Sequence, residues 1–437
     1  MLSKLKLPFA VGYAKQTKFL WDNNTLQNSF GVQSNNGWAC ARYGVKVSNF
    51  HQNHSANLTH VWQVDNGILE FGEDCQLLLK TNTTYSAIDD EYFSYVKVVP
   101  TSNGQIILTD ISTLFLPNGH SRAVRLTTPV FENGINYKRR LFAITGMDST
   151  LHFSAFDDQT CFDHNQGAGS ITFDKKGGKC LALCVIGQKL CVFRQYSIEQ
   201  IDVTASQSDF VVRSLPFNCG NLYPNTVASD GVRAIFLTDK GLCSFDGKSI
   251  KRVATRLDKT FATNNQFAFA TWCKFGYVLN CKVDLGESKI GCENGYYNKN
   301  ALIVVSGDDV VVLRGWDFSQ LVNTNDNNLI MLSGGVVYDL IEDANSLPRQ
   351  CSLTTNFNSH KGKTVQFVTF FTSSPVKLTV RFNNTCKTFD VQPTTQPHSV
   401  FVNATGKNFK FVFEGNGAMD ISPITVDYLL YNGGVAP

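Results

Sequence analysis

The feature that most constrains the fold is a strand–turn–strand phrase that recurs about every 40 residues. Each copy consists of an apolar run, a Gly-containing reversal and a second apolar run. The copies are VWQVDNGILEF (62–72), SNGQIILTDISTLFL (102–116), ITGMDSTLHFSAF (144–156), LCVIGQKLCVF (183–193), RAIFLTDKGLCSF (233–245), CKFGYVLNCKV (273–283), IVVSGDDVVVL (303–313) and LIMLSGGVVYDL (329–340). An all-strand repeat on this scale is typical of a β-propeller, whose blades take about 40–50 residues each.

The residue composition of the apolar runs favours propeller blades rather than a parallel α/β sheet. Segments such as LALCVI (181–186) are apolar at nearly every position, so both faces of the strand must be covered. Neighbouring blades cover both faces in a propeller. The α/β alternative fails because amphipathic helices are missing between the runs, which are joined as hairpins by Gly-x and Asn-Gly reversals. One short helix is predicted at 251–262, where apolar residues recur every four positions.

The sequence predicts an all-β chain in three parts. Residues 1–35 are irregular and are predicted to form an extended N-terminal arm, and 36–345 a β-propeller of five to seven blades. The last apolar run, LIMLSGGVVYDLI (329–341), is expected to close the ring against WACARYGVKV (38–47), which is itself interpreted as a strand pair reversing near Gly44. Closure by the chain ends removes the open sheet edges of a linear array.

Residues 346–437 are predicted to form a small antiparallel β-sandwich. Their strands alternate apolar and polar residues more cleanly than the propeller runs do, as expected of a sheet with one wet face. Val376, Leu378 and Val380 share one face, opposite Lys377 and Thr379. The six predicted strands are KTVQFVTFF (363–371), VKLTVRFN (376–383), KTFDVQP (387–393), SVFVNAT (399–405), NFKFVFEG (408–415) and ITVDYLLY (424–431).

Composition narrows the classes of function. Charged residues make up 17% of the 437 residues, below the usual ~25%, which favours a subunit of an assembly. The net charge of +3 is too near zero to indicate a nucleic-acid surface, and the basic run at 138–140 is interpreted as a solvated turn. The apolar stretch near the start is shorter than a secretory core, and no window is apolar enough to span a membrane, so synthesis and folding in a cytoplasm are expected.

Two patterns resemble metal sites superficially. One is a triple-histidine pattern without a nearby Cys or carboxylate, and it is interpreted as part of a solvated loop. The other includes two thiols in or beside an apolar strand, which favours core thiols. The residues are His51, His54 and His60 in the first pattern and Cys161, His164, Cys180 and Cys184 in the second. The thirteen cysteines are spread evenly and favour free thiols over disulfides, and no metal or cofactor is predicted.

Catalytic patterns are weak. Propeller glycosidases place carboxylates at one mouth of the ring and often carry Ser-x-Asp-x-Gly-x-x-Trp turns. The nearest match, at 238–245, has the Asp and Gly but lacks the Ser and Trp, so a hairpin turn is the preferred interpretation. Asp157–Asp158 and Asp308–Asp309 are adjacent in sequence and point to opposite faces if they lie in strands, whereas a catalytic pair must converge on one bond. No catalytic residue is predicted.

Three phrases resemble a known group of proteins: FSAFDD (153–158), LCVFRQYSIEQI (190–201) and RAIFLTDKGLCSFDGKSIKRV (233–253). Their residue pattern resembles that of tail and neck proteins of tailed bacteriophages. The most similar group is the propeller-bearing tail-nozzle or tail-hub proteins of short-tailed phages, which include packaged-DNA stabilisation proteins. The useful similarity covers roughly residues 140–260. Elsewhere it is architectural only, and the high cysteine content is not associated with the group.

The resemblance implies a structural virion protein rather than an enzyme. Such proteins assemble as a ring, expected to be a hexamer, with other tail or portal-adaptor proteins around a channel that retains and releases genomic DNA. The implied location is the virion tail, after synthesis in the bacterial host cytoplasm. The DNA passes through without sequence-specific binding, which suits a near-neutral lumen.

Two alternatives remain open at this point. The first is a propeller that binds a receptor or glycan at the tail tip, for which Tyr296, Tyr297 and Trp316 are the candidate rim residues. The second is a propeller glycoside hydrolase, which requires three or more carboxylates converging at one mouth with raised pKa values.

Overall fold

The fold consists almost entirely of strands. The computed structural model describes residues 3–7, 13–14, 26–27, 33–35, 38–40, 44–48, 58–65, 67–81, 84–258, 261, 264–283, 300–307, 309–314, 318–323, 328–341, 350–416, 421–422 and 424–430. Within these ranges the chain forms 38 strands and five single-turn 3-10 helices. The prediction of an all-β chain is confirmed.

Six short strands precede the repeating part. They are β1 (Ser3–Leu7), β2 (Tyr13–Ala14), β3 (Leu26–Gln27), β4 (Gln33–Asn35), β5 (Trp38–Cys40) and β6 (Gly44–Val47). Strand β2 pairs with β3 in parallel, and β4 pairs with β5 antiparallel. The predicted hairpin within 38–47 is therefore wrong, because β5 pairs with the preceding β4 and β6 pairs with a distant strand.

The described residues form seven four-stranded antiparallel sheets, each a blade. Blade 1 contains β7 (Leu58–Val64), β8 (Gly67–Gly72), β9 (Leu77–Thr81) and β10 (Thr84–Ala87). Blade 2 contains β11 (Val96–Pro100), β12 (Gly104–Thr109), β13 (Thr113–Pro117) and β14 (Val124–Leu126). Blade 3 contains β15 (Asn133–Tyr137), β16 (Arg140–Ile144), β17 (Thr150–Phe153) and β18 (Gly169–Thr172). Blade 4 contains β19 (Cys180–Ile186), β20 (Lys189–Arg194), β21 (Ser197–Asp202) and β22 (Val211–Pro216).

The remaining three blades repeat this strand order. Blade 5 contains β23 (Ala228–Ser229), β24 (Ala234–Thr238), β25 (Gly241–Phe245) and β26 (Ile250–Arg252). Blade 6 contains β27 (Phe269–Cys273), β28 (Gly276–Lys282), β29 (Asn300–Ser306) and β30 (Asp309–Arg314). Blade 7 contains β31 (Gln320–Asn323), β32 (Leu329–Ser333), β33 (Val336–Ile341) and, as its outermost strand, β6.

Two observations show that the blades form a closed ring. The first strands contact one another in turn from blade 2 to blade 7, and β31 of blade 7 contacts β7 of blade 1. Blades 1 and 2 share an apolar cluster, so the blades surround a common axis. Strand β6 completes blade 7 with Val45 opposite Leu340 and Gly44 opposite Ile341. The predicted closure of 329–341 onto the segment 38–47 is confirmed, and it uses only Gly44–Val47.

Apolar packing between blades explains the doubly apolar runs. Each interface between neighbouring blades has its own cluster of buried apolar side chains, including the interface between blade 7 and blade 1. At that closing interface Leu58 and Val61 of blade 1 pack with Ile330 and Leu332 of blade 7. Burial of apolar area contributes about 25 cal/mol per Å². Every blade therefore depends on both of its neighbours for stability.

A six-stranded antiparallel sheet forms the C-terminal part, around one apolar core. Its strands are β34 (Gln350–Phe370), β35 (Val376–Phe382), β36 (Thr385–Val391), β37 (His398–Asn416) and β38 (Ile424–Leu430), together with β1 from the N-terminus. Register shifts interrupt β34 between Asn358 and Lys363 and between Val365 and Phe367. The segments 399–405 and 408–415, predicted as two strands, form the single strand β37.

Two local predictions differ from the structure. Strand β1, within the predicted N-terminal arm, pairs with β38 and so is part of the C-terminal sheet. The predicted helix at 251–262 is replaced by the end of β26 and a 3-10 turn at Thr255–Leu257. Its apolar spacing has a different cause, because Leu257 and Val253 pack into the cluster between blades 5 and 6.

Candidate functional site

All seven blades run in the same order, so the turns between their second and third strands lie at one end of the ring. We call this end the upper mouth, and these turns the upper turns. The turns between first and second strands lie at the opposite end, the lower mouth. Several of the exposed large apolar side chains among the described residues lie at the upper mouth.

Three consecutive blades each expose a large apolar side chain at the upper mouth, and the loop between blades 1 and 2 exposes a fourth. Ile111, Met147 and Tyr196 lie in the upper turns of blades 2, 3 and 4 and are 45%, 84% and 56% exposed. Tyr92, 64% exposed, precedes the first strand of blade 2. Its hydroxyl accepts a hydrogen bond from Gln76 Nε2 at 3.2 Å, which places it beside the upper turn of blade 1.

The same arc is acidic. We call the four apolar residues and the acidic residues around them the rim. Its exposed acidic members are Glu73, Asp74, Asp90, Glu91, Asp110, Glu132 and Asp148. Arg122 pairs with Asp90 at 3.1 Å and Arg125 pairs with Glu91 at 2.9 Å, so only part of this negative charge is neutralised.

Hydrogen bonds join the rim across the blades. Ser94 N donates to Asp110 Oδ1 at 3.0 Å, which ties the loop containing Tyr92 to the upper turn of blade 2. The Tyr95 hydroxyl donates to the carbonyl of Glu132 at 2.9 Å, linking that loop to blade 3. Cys180 N donates to the carbonyl of Asp148 at 2.7 Å, which links blade 3 to blade 4. The rim is thus one connected surface.

A half-buried lysine lies behind the rim, between the first strands of blades 2 and 3. Lys97 Nζ donates to Asn133 Oδ1 at 2.6 Å. Burial lowers the pKa of Lys97 to about 8, and nearby Glu132 opposes that shift. Burial of the Tyr95 hydroxyl, together with the negative charge of Glu132, raises the pKa of Tyr95 far above its usual value. These contacts hold two blades together at the axis.

The buried charged groups of blades 3 and 4 have structural partners. Arg194 is 1% exposed, and its Nη1 donates to Glu199 Oε1 at 2.7 Å. Its Nη2 donates to the carbonyl of Gly178 at 2.9 Å. Arg140 donates to the carbonyls of Ser154 and Ala205, at 2.6 and 2.8 Å. Both guanidinium groups are therefore committed to folding the loops between strands.

The sequence did not reveal that Arg140 and Arg194 are buried with structural partners. The basic run at 138–140 was interpreted as a solvated turn, but Arg140 is buried. Lys138 Nζ donates to the carbonyl of Val203 at 2.8 Å, and Arg139 pairs with Asp157. The Arg194–Glu199 pair was not predicted. Its local signal is weak, because each strand of this hairpin carries a second charged residue, Lys189 or Asp202.

The residues of the two metal-like patterns are not brought together among the described residues. His60 lies in β7, not in the preceding loop; its ring stacks on Trp62 at 5.6 Å, and burial lowers its pKa to about 4. His51 and His54 lie outside the described residues. Cys161 donates to Gln166 Oε1 at 3.3 Å in the last loop of blade 3. No group of three His, Cys, Asp or Glu side chains in the described ranges is arranged to hold a metal ion.

The second metal-like pattern is divided between a loop and a strand. His164 is exposed in a 3-10 turn, whereas Cys180 and Cys184 are buried in β19. Burial raises the pKa of the Cys180 thiol to about 12, so it remains protonated at neutral pH. The core-thiol interpretation of these two cysteines agrees with their burial.

The acidic residues considered as catalytic candidates accept hydrogen bonds within turns. Asp239 accepts hydrogen bonds from Asn221 N and Nδ2, both at 2.9 Å, at the tip of the hairpin in 238–245. Asp158 Oδ1 accepts from Thr160 N at 2.9 Å. Asp308, the side chain of Asp309, and the rim candidates Tyr296, Tyr297 and Trp316 lie outside the described residues. The sequence did not indicate Tyr92 and Tyr196 as exposed aromatic residues of the upper mouth. A single aromatic residue near a turn gives no sign of whether its side chain is exposed.

Comparisons with known proteins return propellers among the solved structures. No family model matches the chain, and no curated protein matches it. The WD40 domain of Neurospora crassa Pan2 is 9% identical over 70% of this chain and 95% of its own, with a TM-score of 0.41. BamB from Moraxella catarrhalis is 11% identical over 77% of this chain and 98% of its own, with a TM-score of 0.42.

A third similar structure is the extracellular domain of a putative hybrid two component system from B. thetaiotaomicron. It is 11% identical over 82% of this chain and 47% of its own, with a TM-score of 0.45. Similarities this distant carry no functional information. The propeller assignment rests on the strand pairing described above. None of the helical segments in the described ranges has the length and hydropathy that a membrane-crossing helix needs.

Proposed function

We propose that the chain is a non-catalytic structural protein of a phage tail, which forms part of a ring-shaped tube that retains and releases DNA. The observation that carries the proposal is how the buried ionisable groups of blades 2–4 are used. Lys97, Arg140 and Arg194 bind neighbouring strands, loops or blades rather than converging on a shared cleft. Such groups stiffen a ring, which is what a conduit requires.

The sequence resemblance supplies the phage context of the proposal. The three phrases that carry it lie on blades 3, 4 and 5. The proposed partners are further copies of this chain in a hexameric ring, other tail or portal-adaptor proteins, and genomic DNA in the lumen. The proposed location is the virion tail.

Particle mass tests the proposal. Purified full-length chain, alone and with a candidate tail adaptor, is measured by mass photometry and imaged by negative-stain microscopy. We expect a multiple of the 48.5 kDa chain mass and ring-shaped particles, formed alone or on the adaptor. A monomer in both conditions that also hydrolyses glycoconjugates would falsify the proposal and favour the glycoside hydrolase alternative.

Exposed aromatic residues favour receptor or glycan binding as a second candidate function. Tyr92 and Tyr196 are both more than half exposed at the upper mouth. Aromatic faces bind the apolar faces of sugars and dominate many protein interfaces. Glycan-array binding that is lost in both Tyr92→Ala and Tyr196→Ala, with no ring in solution, supports this candidate over the first.

A further inference from the structure

We propose that the rim is a docking site for a basic, apolar-rich peptide segment of a partner protein. This deepens the proposed structural role, on which it rests, because it states the chemistry by which such a subunit recognises a neighbour. Three properties of the rim support the proposal: its apolar side chains, its charge and its rigidity.

The apolar contacts are large and regularly placed. Tyr92 comes from the loop between blades 1 and 2, and Ile111, Met147 and Tyr196 come from the upper turns of blades 2, 3 and 4. The four side chains thus form an arc along which an extended chain can lie. Tyr side chains are frequent energetic centres of protein interfaces, and Met adapts its shape to different partners. An exposed fraction of 84% for Met147 leaves nearly the whole side chain in water.

Charge selects the class of peptide. Exposed carboxylates of Glu73, Asp74, Asp110 and Asp148 flank the apolar side chains on blades 1–3. Complementary charge steers encounter and rejects like-charged partners. A peptide that carries Lys or Arg between apolar residues therefore matches the rim, whereas an acidic peptide with the same apolar residues does not. Lys175 and Lys176 lie beside blade 4, so the basic side chains of the peptide belong over blades 1–3.

Rigidity lowers the entropic cost of binding. Asp110 Oδ1 holds the loop carrying Tyr92 through Ser94 N. The turn with Met147 is closed by Thr145 Oγ1, which accepts from Met147 N at 3.2 Å, and Asp148 Oδ1, which accepts from Thr150 N at 2.9 Å. A site formed before binding loses little conformational freedom when the ligand arrives.

The test uses a short fluorescein-labelled peptide of repeated Lys-Leu-Ser and its counterpart of repeated Glu-Leu-Ser. Fluorescence anisotropy with the full-length chain measures both affinities at low and high salt. We expect the Lys peptide to bind more tightly than the Glu peptide by about tenfold or more. Its affinity should fall as salt rises, because screening weakens exposed charge pairs.

Matched variants locate the binding. Met147→Ser combined with Tyr196→Ser should weaken the Lys peptide about fivefold or more, and Glu73→Lys should weaken it about threefold. The controls are Val232→Ser and Asp65→Lys in turns of the lower mouth, where Val232 is 74% exposed; both should leave the affinity unchanged. All five side chains are exposed, so the variants should fold, which circular dichroism verifies.

Two results would overturn the inference. One is equal affinity for the Lys and Glu peptides, and the other is an equal effect of rim and control variants. Particle mass is recorded on the same samples. A ring that persists while the Lys peptide fails to bind rejects the docking site alone, whereas rim-dependent binding to a monomer with no ring on any adaptor rejects the structural role alone.

Discussion

Lys363 is the residue whose environment differs most from what its type prefers. It is fully buried in β34, with Nζ 3.7 Å from the centre of the Phe357 ring and 5.8 Å from that of Phe409. Its ammonium group has no hydrogen-bond partner among the described residues. Burial lowers the pKa of Lys363 to about 8 from 10.5. The aromatic faces offset only part of the cost of removing its charge from water.

Replacing this residue should stabilise the C-terminal sheet. We expect Lys363→Met to raise the free energy of unfolding by about 1–3 kcal/mol at pH 7, because it removes a buried charge and keeps the volume. The gain should be full below pH 8 and shrink between pH 8 and 10.5. Over that range the folded state gives up the Lys363 proton while the unfolded state retains it, so the wild type becomes relatively more stable as pH rises.

Urea denaturation of both proteins between pH 7 and pH 10.5 measures the difference. The matched control is Lys407→Met, which changes an exposed lysine in the neighbouring strand β37. Its effect on the free energy of unfolding should be small, because the side chain is exposed. A gain from Lys363→Met that stays constant up to pH 10.5 would show that the charge of Lys363 is not what destabilises the sheet.

A glycine explains part of the sequence repeat at the residue scale. Gly104 opens the second strand of blade 2, and a Cβ built there would lie 2.2 Å from the carbonyl oxygen of Leu116 on the third strand. Gly67 and Gly276 hold the same position in blades 1 and 6, with carbonyl oxygens at 2.2 and 2.3 Å. In these three hairpins the glycine is thus required by close backbone approach, because any larger residue meets the carbonyl of the neighbouring strand.

At the scale of elements, the repeated phrases do form hairpins, but the sequence did not indicate which strands of a blade each hairpin contains. Eight phrases correspond to seven blades because two of them fall in blade 6: 273–283 covers the end of its first strand and its second strand, and 303–313 covers most of its last two. Other phrases, such as 102–116, cover the second and third strands. A hairpin looks alike at each of these positions, so sequence reasoning could bound the number of blades at five to seven without fixing it.

The closing strand provides a test at this scale. Replacing both Val45 and Lys46 by Pro removes at least one ladder bond of β6, since successive backbone N–H groups in a strand point in opposite directions. We expect the melting temperature to fall by about 2–4 °C for each kcal/mol of stability lost in a large domain, because blade 7 loses the strand that the N-terminal segment contributes to it.

The control for closure is the same double replacement at Val212 and Arg213 in β22, the exposed outermost strand of blade 4. It removes bonds of the same kind and leaves the ring closed. Proteolysis of the closing-strand variant should begin in blades 1 and 7, whereas the control should be cut near β22. Equal melting temperatures and the same first cleavage sites in the two variants would contradict a special role of β6.

At the scale of the whole molecule, stability comes from clusters that each join two blades. This arrangement also determines the state of the cysteines. Ten cysteines are free where the structure describes their side chains, and six of these ten are buried within the blades: Cys180, Cys184, Cys191, Cys243, Cys273 and Cys281. Burial raises the pKa of Cys180 and Cys243 to about 12, which suppresses the reactive thiolate form. The predicted free core thiols agree with these positions.

Alkylation of cysteines in the native protein tests whether the blades open individually or only when the whole ring unfolds. With iodoacetamide at pH 8, we expect Cys386, which is exposed, to react first. Cys75, Cys161 and Cys219 should follow, and the six buried cysteines should react only after unfolding. Peptide mass spectrometry after timed quenching gives the order. Labelling of Cys191 or Cys281 in the native protein at the rate of Cys386 would mean that the blades open individually.

What the sequence determined by itself is local. Apolar runs and Gly-containing turns specify hairpins because the period of a strand and the geometry of a turn involve neighbours in the chain. The register of β6 in blade 7, the addition of β1 to the C-terminal sheet, and the rim were decided only by tertiary structure. Each brings together residues far apart in sequence: Val45 lies opposite Leu340, Ser3 lies opposite Tyr428, and loops from neighbouring blades share one surface. No local pattern specifies such contacts, because they depend on how elements that are distant in the chain pack together.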